Sequence, residues 1–194
     1  MKKTSKLVLL TSFISILSAF AASPMMDTSK VILASEVKET PTKLPFEEKI
    51  VTNFQNLNKD FLRAIARKES SNNYTIVNKW GYMGKYQFGR TTLDALGYSH
   101  ISNKEFLSTP LVQEEAMMKL LQSNKYILRR EIRKYSGTAI NGVYITESGL
   151  LAAAHLAGPG NVKLFLRDNI NVKDGLGTSL VDYLDIFSNY KVKI

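Results

Sequence analysis

The sequence predicts a mainly α fold, and three observations lead to this prediction. From about residue 46 to the C-terminus, apolar residues recur at the three- to four-residue spacing of helices. Convincing alternating strands are few over the same range. One segment, residues 74–88, follows neither pattern and contains glycines, tyrosines and Trp80. We expect that segment to form loops or a small irregular β excursion.

Two helices are predicted on either side of this excursion. Residues 58–69 form the first helix, because four apolar side chains share one stripe at helical spacing: Phe61, Leu62, Ile65 and Ala66. A short second helix covers residues 90–96. It ends before Gly97, since glycine adopts the left-handed conformation that closes a helix.

Helix-start signals place the remaining helices. Thr109 caps a third helix and Pro110 suits its first position, with a break expected near Ser123-Asn124 and basic residues concentrated near residue 134. A fourth helix covers residues 146–157 and is followed by a fifth over residues 159–167. Thr178 is expected to cap the last helix, which reaches Phe187.

The N-terminal segment has the pattern of a secretory signal peptide. Three lysines precede a largely apolar run that ends at Ala19-Phe20-Ala21, a small-x-small cleavage pattern. We therefore predict a signal peptide over residues 1–21, a flexible leader over residues 22–50 and one folded domain over residues 51–194. The protein is then exported, to the periplasm or the medium. An uncleaved membrane anchor is the alternative, although the run is shorter than the ~20 residues of a span.

Composition limits the chemistry. Cysteine is absent and histidine occurs twice, which excludes thiolate chemistry and makes a multi-histidine metal site improbable, so we expect no metal and no cofactor. The formal net charge is +9, of which the signal peptide contributes three lysines. This charge suits an anionic polymer or surface, and export favours bacterial envelope polymers over nucleic acid. Solubility alone is an equally good explanation of the charge.

Glu69 is the first candidate for catalysis. It lies at the end of the first predicted helix, seven residues after Leu62 and four after Ile65, so its side chain falls near the apolar stripe. Burial and the negative end of the helix dipole both disfavour a charged carboxylate there. A neutral carboxylic acid can protonate a leaving oxygen. The alternative is that Glu69 turns outward and contacts water.

Three short motifs occur in a fixed order after the first helix. Glu69-Ser70 comes first, Gly84-Lys85-Tyr86-Gln87 second and Ala154-His155-Leu156-Ala157-Gly158 third. Together they resemble the lysozyme-like soluble lytic transglycosylase superfamily, which includes goose-type lysozymes, in a form close to its phage-tail and secreted variants. The family pattern is Glu-Ser, Gly-Leu-Met-Gln and Ala-Tyr-Asn-Ala-Gly. The departures from that pattern fall at Lys85, Tyr86, His155 and Leu156.

The resemblance implies a lysozyme-like helical domain that binds peptidoglycan. It also implies cleavage of the β-1,4 bond between N-acetylmuramic acid and N-acetylglucosamine, with Glu69 as acid and then base. Side chains with plausible roles in substrate binding are Ser70, Tyr74, Asn78, Gly84, Tyr86, Gln87, Phe88, His155 and Tyr183. For the aromatic residues, packing in the core is an equally good interpretation.

Two other functions stay open at this point. A lysozyme-type hydrolase needs water at the anomeric carbon, commonly positioned by a second carboxylate. No spacing singles out one of its candidates, which are Asp94, Glu105, Glu131 and Glu147. A glycan-binding module without catalysis is the other alternative, because the third motif is altered at two positions.

Overall fold

The computed structural model describes residues 45–175 and 177–194, and the prediction of a mainly α fold is confirmed. Nine α-helices and one two-stranded antiparallel sheet lie within these residues. The predicted signal peptide and most of the predicted leader lie outside the described residues. No helix in the described part has both the length and the apolar character needed to cross a membrane.

The helices, in chain order, are α1 Pro45–Leu57, α2 Lys59–Ser70, α3 Arg90–Ala95, α4 Asn103–Ser108, α5 Pro110–Ile127, α6 Arg129–Tyr135, α7 Glu147–Ala157, α8 Pro159–Asp168 and α9 Leu180–Ile186. The strands are β1 Ala139–Ile140 and β2 Val143–Tyr144. All six helical stretches predicted from the sequence are present. The third is two helices, α5 and α6, and the change of direction falls at Leu128 rather than at residues 123–124.

Three elements were not predicted. Helix α1 begins at Pro45, inside the range assigned to the leader, and among its side chains from Glu47 onward Val51 and Phe54 are buried. Helix α4 has six residues and one buried side chain, Phe106. The β1–β2 hairpin turns at Asn141-Gly142, and both residues have positive φ, 49° and 81°. Asn-Gly is the dipeptide that favours such a tight turn, so the hairpin signal was present in the sequence.

Helix α7 lies at the centre of the fold. It packs against α5, α8 and α9, and its Leu-Leu-Ala-Ala-Ala segment is buried. Gly149 permits the close approach of α9, because a Cβ atom there would lie 2.7 Å from the Leu184 carbonyl oxygen. Helix α9 is started by Ser179, not Thr178 as predicted: Ser179 and Asp182 exchange hydrogen bonds in a capping box.

The segment between α2 and α3, residues 71–89, is here called the excursion. It consists of turns, with isolated antiparallel bridges between Val77 and Met83 and between Met83 and Phe88. Met83 and Phe88 are buried. The residues between Val77 and Met83 form the tip of the excursion and are largely exposed. The excursion therefore has a buried base, which contains Met83 and Phe88.

Candidate active site

The end of α2 is fixed by its own backbone and by the excursion. Ser71 adopts a left-handed conformation with φ 56°, and the N–H groups of Ser71 and Asn72 donate to the last carbonyls of α2. The Ser70 hydroxyl donates to the carbonyl of Lys85 at 2.7 Å. Ser70 thus ties the helix end to the excursion, and this contact holds the neighbouring Glu69 in place.

The Glu69 carboxyl group meets residues from two distant helices. The Tyr183 hydroxyl of α9 donates to Glu69 Oε1 at 2.5 Å. The Nε2 atom of His155, on α7, lies 3.7 Å from the same oxygen. The Glu69 side chain is 15% exposed and that of His155 is 6% exposed. Glu69 therefore does not turn outward into water, and three residues predicted to belong to the site come together.

The protonation states of the two neighbours follow from their surroundings. Burial raises the pKa of the Tyr183 phenol, and the Glu69 charge and hydrogen bond raise it further, so Tyr183 is the donor. Burial lowers the pKa of the His155 imidazole, while Glu69 and the Tyr86 backbone oppose this only in part. His155 is therefore a neutral ring near neutral pH. Its buried Nδ1 atom has no hydrogen-bond partner.

Aromatic rings support both neighbours of Glu69. Phe88 packs edge-on against His155, with ring centroids 6.1 Å apart. Phe187 packs against Tyr183 at 5.1 Å. These buried contacts restrict the two side chains to the rotamers that face Glu69.

A second buried carboxylate, Glu114 on α5, anchors the excursion. Glu114 Oε1 accepts hydrogen bonds from the Tyr74 hydroxyl at 2.6 Å and from Lys85 Nζ at 2.7 Å. Its Oε2 atom accepts one from the Tyr86 hydroxyl at 2.8 Å. Burial, together with the Glu114 charge, raises the pKa of both phenols, so both remain donors. This group is here called the Glu114 cluster.

Gln113, the neighbour of Glu114, reaches into the base of the excursion. Its Oε1 atom accepts from the backbone N–H of Lys85, and its Nε2 atom donates to the carbonyls of Tyr74 and Phe106. Gly84 makes room for this side chain, because a Cβ atom there would lie 2.2 Å from Gln113 Oε1. Gly84 was a candidate for substrate binding, but the space beside it is filled by the Gln113 side chain.

Tyr86 and Phe88, which were candidates for substrate binding with core packing as the alternative, belong to the core. Both side chains are buried, with 0% and 2% exposure, because one reaches Glu114 and the other packs under His155. Tyr74 is half-buried, and its hydroxyl belongs to the Glu114 cluster instead of the Glu69 site.

The two predicted amide residues are used within the excursion. Gln87 has φ 51°, and its Nε2 atom donates to the Gly84 carbonyl at 2.9 Å. The Asn78 Oδ1 atom accepts from the backbone N–H groups of Trp80 and Tyr82 at 2.9 and 3.0 Å. Both amides therefore shape turns, which is a positioning role.

The four candidate second carboxylates have other surroundings. Asp94 pairs with Arg90, Glu131 with Lys163 and Glu147 with Lys125, and Glu105 lies exposed on α4. Asp174, which was not a candidate, lies in the loop before α9 and contributes to the raised pKa of Tyr183. Its Oδ1 atom also accepts from the Thr178 N–H at 2.8 Å.

Two pockets in the described part of the protein have linings that do not include Glu69. One of about 300 Å³ opens beside the Glu114 cluster, where Lys59, Arg63 and Asn72 contribute to its lining. The other, about 420 Å³, is a depression on α1. Within the described residues, no group of three or more His, Asp or Glu side chains is placed to hold a metal ion.

Glu114 is the buried, hydrogen-bonded carboxylate that was not predicted from the sequence. The missed signal is its spacing, since Glu114 is three, four and seven residues before the buried Met117, Met118 and Leu121. A carboxylate on a buried stripe needs partners, and the excursion supplies them.

Comparison with models of known protein families gives no match, and comparisons with curated proteins and with solved structures give none either.

Proposed function

We propose that this protein is a lytic transglycosylase that cleaves the β-1,4 bond between N-acetylmuramic acid and N-acetylglucosamine in peptidoglycan. The observation that carries the proposal is the setting of Glu69: a mostly buried carboxyl group, joined by a 2.5 Å hydrogen bond to a protonated Tyr183. The motif pattern around Glu69, Gly84-Gln87 and Ala154-Gly158 adds the resemblance to the lysozyme-like superfamily.

The contacts at Glu69 assign different roles to its two oxygens. Tyr183 and His155 both contact Oε1, so we assign the transferable proton to Oε2. That proton passes to the bridging oxygen while the bond from this oxygen to the muramic C1 atom breaks. Tyr183 then stabilises the carboxylate that forms, by a hydrogen bond to a charged group.

The second step returns the proton to Glu69. The carboxylate removes the proton of the muramic C6 hydroxyl while O6 attacks C1, which closes a 1,6-anhydro ring. One carboxyl group is sufficient for both steps. A neutral His155 fits this scheme, since a nearby imidazolium would hold Glu69 as a carboxylate and oppose proton donation.

A lysozyme-type hydrolase is the second candidate, in which Asp174, in the loop before α9, would be the second carboxylate. This carboxylate acts electrostatically on Tyr183, the residue bonded to Glu69. In a hydrolase, Asp174 would position water for attack on C1, and Asp174→Asn would abolish cleavage. In a transglycosylase, the same variant retains cleavage apart from any loss caused by the Thr178 contact.

Zymography on peptidoglycan tests the role of Glu69. Wild type and the exposed control Glu48→Gln should clear the gel, and Glu69→Gln should not, because a carboxamide cannot donate the proton. Circular dichroism shows whether Glu69→Gln is folded. Clearing by Glu69→Gln at the wild-type rate contradicts the proposal. The absence of clearing by wild type, with binding to cell walls retained, identifies a glycan-binding module.

A further inference from the structure

The tip of the excursion exposes a cluster of large apolar side chains. Ile76, Val77, Trp80 and Tyr82 lie within seven positions, and each is 40–49% exposed. Single exposed apolar residues are common on protein surfaces, whereas a cluster marks a binding surface. Tyr74, Lys85 and Tyr86 of the excursion reach inward to Glu114, whereas the tip carries its exposed apolar side chains.

The two aromatic rings of the tip are held in position. Asn78 fixes the turn between them through its hydrogen bonds to both backbone N–H groups. Each ring also lies against a glycine: a Cβ atom at Gly89 would be 3.1 Å from the Tyr82 ring, and one at Gly175 would be 3.1 Å from the Trp80 ring. Rings fixed in this way lose little freedom when they bind a ligand.

The tip belongs to the same pair of segments as the Glu69 site. The excursion begins two residues after Glu69, and Gly175 lies in the loop that leads into α9 and Tyr183. These segments therefore meet twice, once at the bond from Tyr183 to Glu69 and once where Trp80 contacts Gly175. A chain bound across Glu69 along these segments would reach the aromatic tip.

We propose that Trp80 and Tyr82 form a sugar-binding platform for an N-acetylhexosamine unit of the glycan, beside the bond that Glu69 cleaves. The inference takes its ligand class from the proposed function. A pyranose ring has an apolar C–H face and polar edges, which matches an aromatic ring beside a hydrogen-bond donor. Lys79 supplies that donor: its exposed ammonium lies over the Trp80 ring, 4.3 Å from the ring centre, and turns aside when a sugar stacks on that face.

Trp80 is the chain's single tryptophan, so its fluorescence reports this site alone. The experiment titrates the full chain carrying Glu69→Gln with chitopentaose, a linear oligomer of N-acetylglucosamine, and records tryptophan emission and calorimetric binding. We expect a saturable emission change. The additional substitution Trp80→Phe should weaken calorimetric binding severalfold, and Trp80→Ala or Tyr82→Ala about tenfold or more. Tyr126→Ala, which removes an exposed tyrosine from α5, should leave it unchanged.

Three results would overturn the inference. Calorimetric binding with no emission change places the sugar elsewhere. Equal affinity of folded Trp80→Ala, Tyr82→Ala and the Tyr126→Ala control shows that the rings do not bind it. Absence of binding to chitopentaose leaves the apolar tip to a protein partner. The catalytic proposal is tested separately, because Glu69→Gln is compared with wild type on cleavage and the platform is measured by binding only.

Discussion

Tyr183 and Glu69 are 114 positions apart in the chain, and one hydrogen bond joins them at the centre of the proposed chemistry. Tyr183 is buried against Phe187, so its hydroxyl has a fixed direction. His155 approaches the same carboxylate oxygen from α7. In the proposed mechanism, Glu69 therefore transfers the proton, Tyr183 stabilises the charge of Glu69, and His155 is a neutral neighbouring ring.

Removing the Tyr183 hydroxyl should slow cleavage without unfolding the protein. Tyr183→Phe keeps the ring and its packing but loses a hydrogen bond to a charged group, which is worth about 1.5–3 kcal/mol. A barrier raised by that amount lowers the cleavage rate by about tenfold to hundredfold. The measurement is the rate at which a suspension of purified peptidoglycan loses turbidity. Tyr126→Phe, at an exposed position, is the control. Equal rates for both variants would exclude Tyr183 from the chemistry.

Burial of His155 should make stability depend on pH. Its pKa is lowered in the folded state, so between the folded and unfolded pKa values the unfolded chain binds more protons. The free energy of unfolding should therefore fall as the pH drops below about 6.5, the ordinary histidine value. Urea unfolding at pH 7.5 and pH 5.5 should show a smaller fall for His155→Gln than for wild type. His100→Gln, at an exposed position, should show the same decrease in the free energy of unfolding as wild type. The same decrease in His155→Gln would contradict the claim that His155 is buried as a neutral ring.

The excursion is the element on which the site depends, and α5 holds it in place. Gln113 and Glu114 bind its base through backbone groups and through Tyr74, Lys85 and Tyr86. The Lys85 carbonyl in this part of the excursion also accepts a hydrogen bond from the hydroxyl of Ser70, the neighbour of Glu69. Contacts on α5 therefore reach the catalytic position through two hydrogen-bonded steps.

Gly84→Ala should be strongly destabilising. The substitution strains a backbone with φ 72° and forces Gln113 out of its place, and we expect a loss of about 2–5 kcal/mol in the free energy of unfolding. Gly142→Ala is a matched control, since its φ is 81° and its Cβ would meet nothing within 4 Å. That variant should lose about 1–2 kcal/mol. Equal losses by urea unfolding would show that the Gln113 contact is unimportant.

Removing the Lys85 ammonium should lower the free energy of unfolding, because it leaves a buried charge without its partner. Lys85→Met leaves Glu114, which is 4% exposed, without its cation, and breaking such a pair costs about 3–5 kcal/mol. Lys163→Met breaks a looser surface pair at 3.9 Å and should cost less than about 1 kcal/mol. Thermal unfolding of both variants measures the difference. A Lys85→Met variant as stable as Lys163→Met would contradict the role given to this pair.

Local signals in the sequence were sufficient for the helices and insufficient for the contacts between them. Proline, glycine and capping residues marked α5, α7 and α8, whereas α1 and α4 bury too few side chains to show a clear stripe. The end of α2 placed Glu69 correctly near an apolar face. The burial of Tyr86 and Phe88 could not be predicted, because it depends on Glu114 and His155, which lie far along the chain.

At the scale of the whole molecule, the described residues form a helical domain in which α7 is central and α2 and α9 bring Glu69 and Tyr183 together. The chain carries a formal charge of +9, which attracts an anionic polymer over distances longer than any single contact. A net positive charge, a mostly buried carboxyl group and an aromatic tip are consistent with one polymeric substrate.

Mass analysis of peptidoglycan digested by the full chain tests the central claim most directly. Wild type should release fragments with 1,6-anhydromuramic ends, and Glu69→Gln should release none. Fragments with reducing ends would show that water, and not the C6 hydroxyl, attacks the anomeric carbon. Anhydro fragments in equal amounts from wild type and a folded Glu69→Gln would contradict the assignment of Glu69 as the acid.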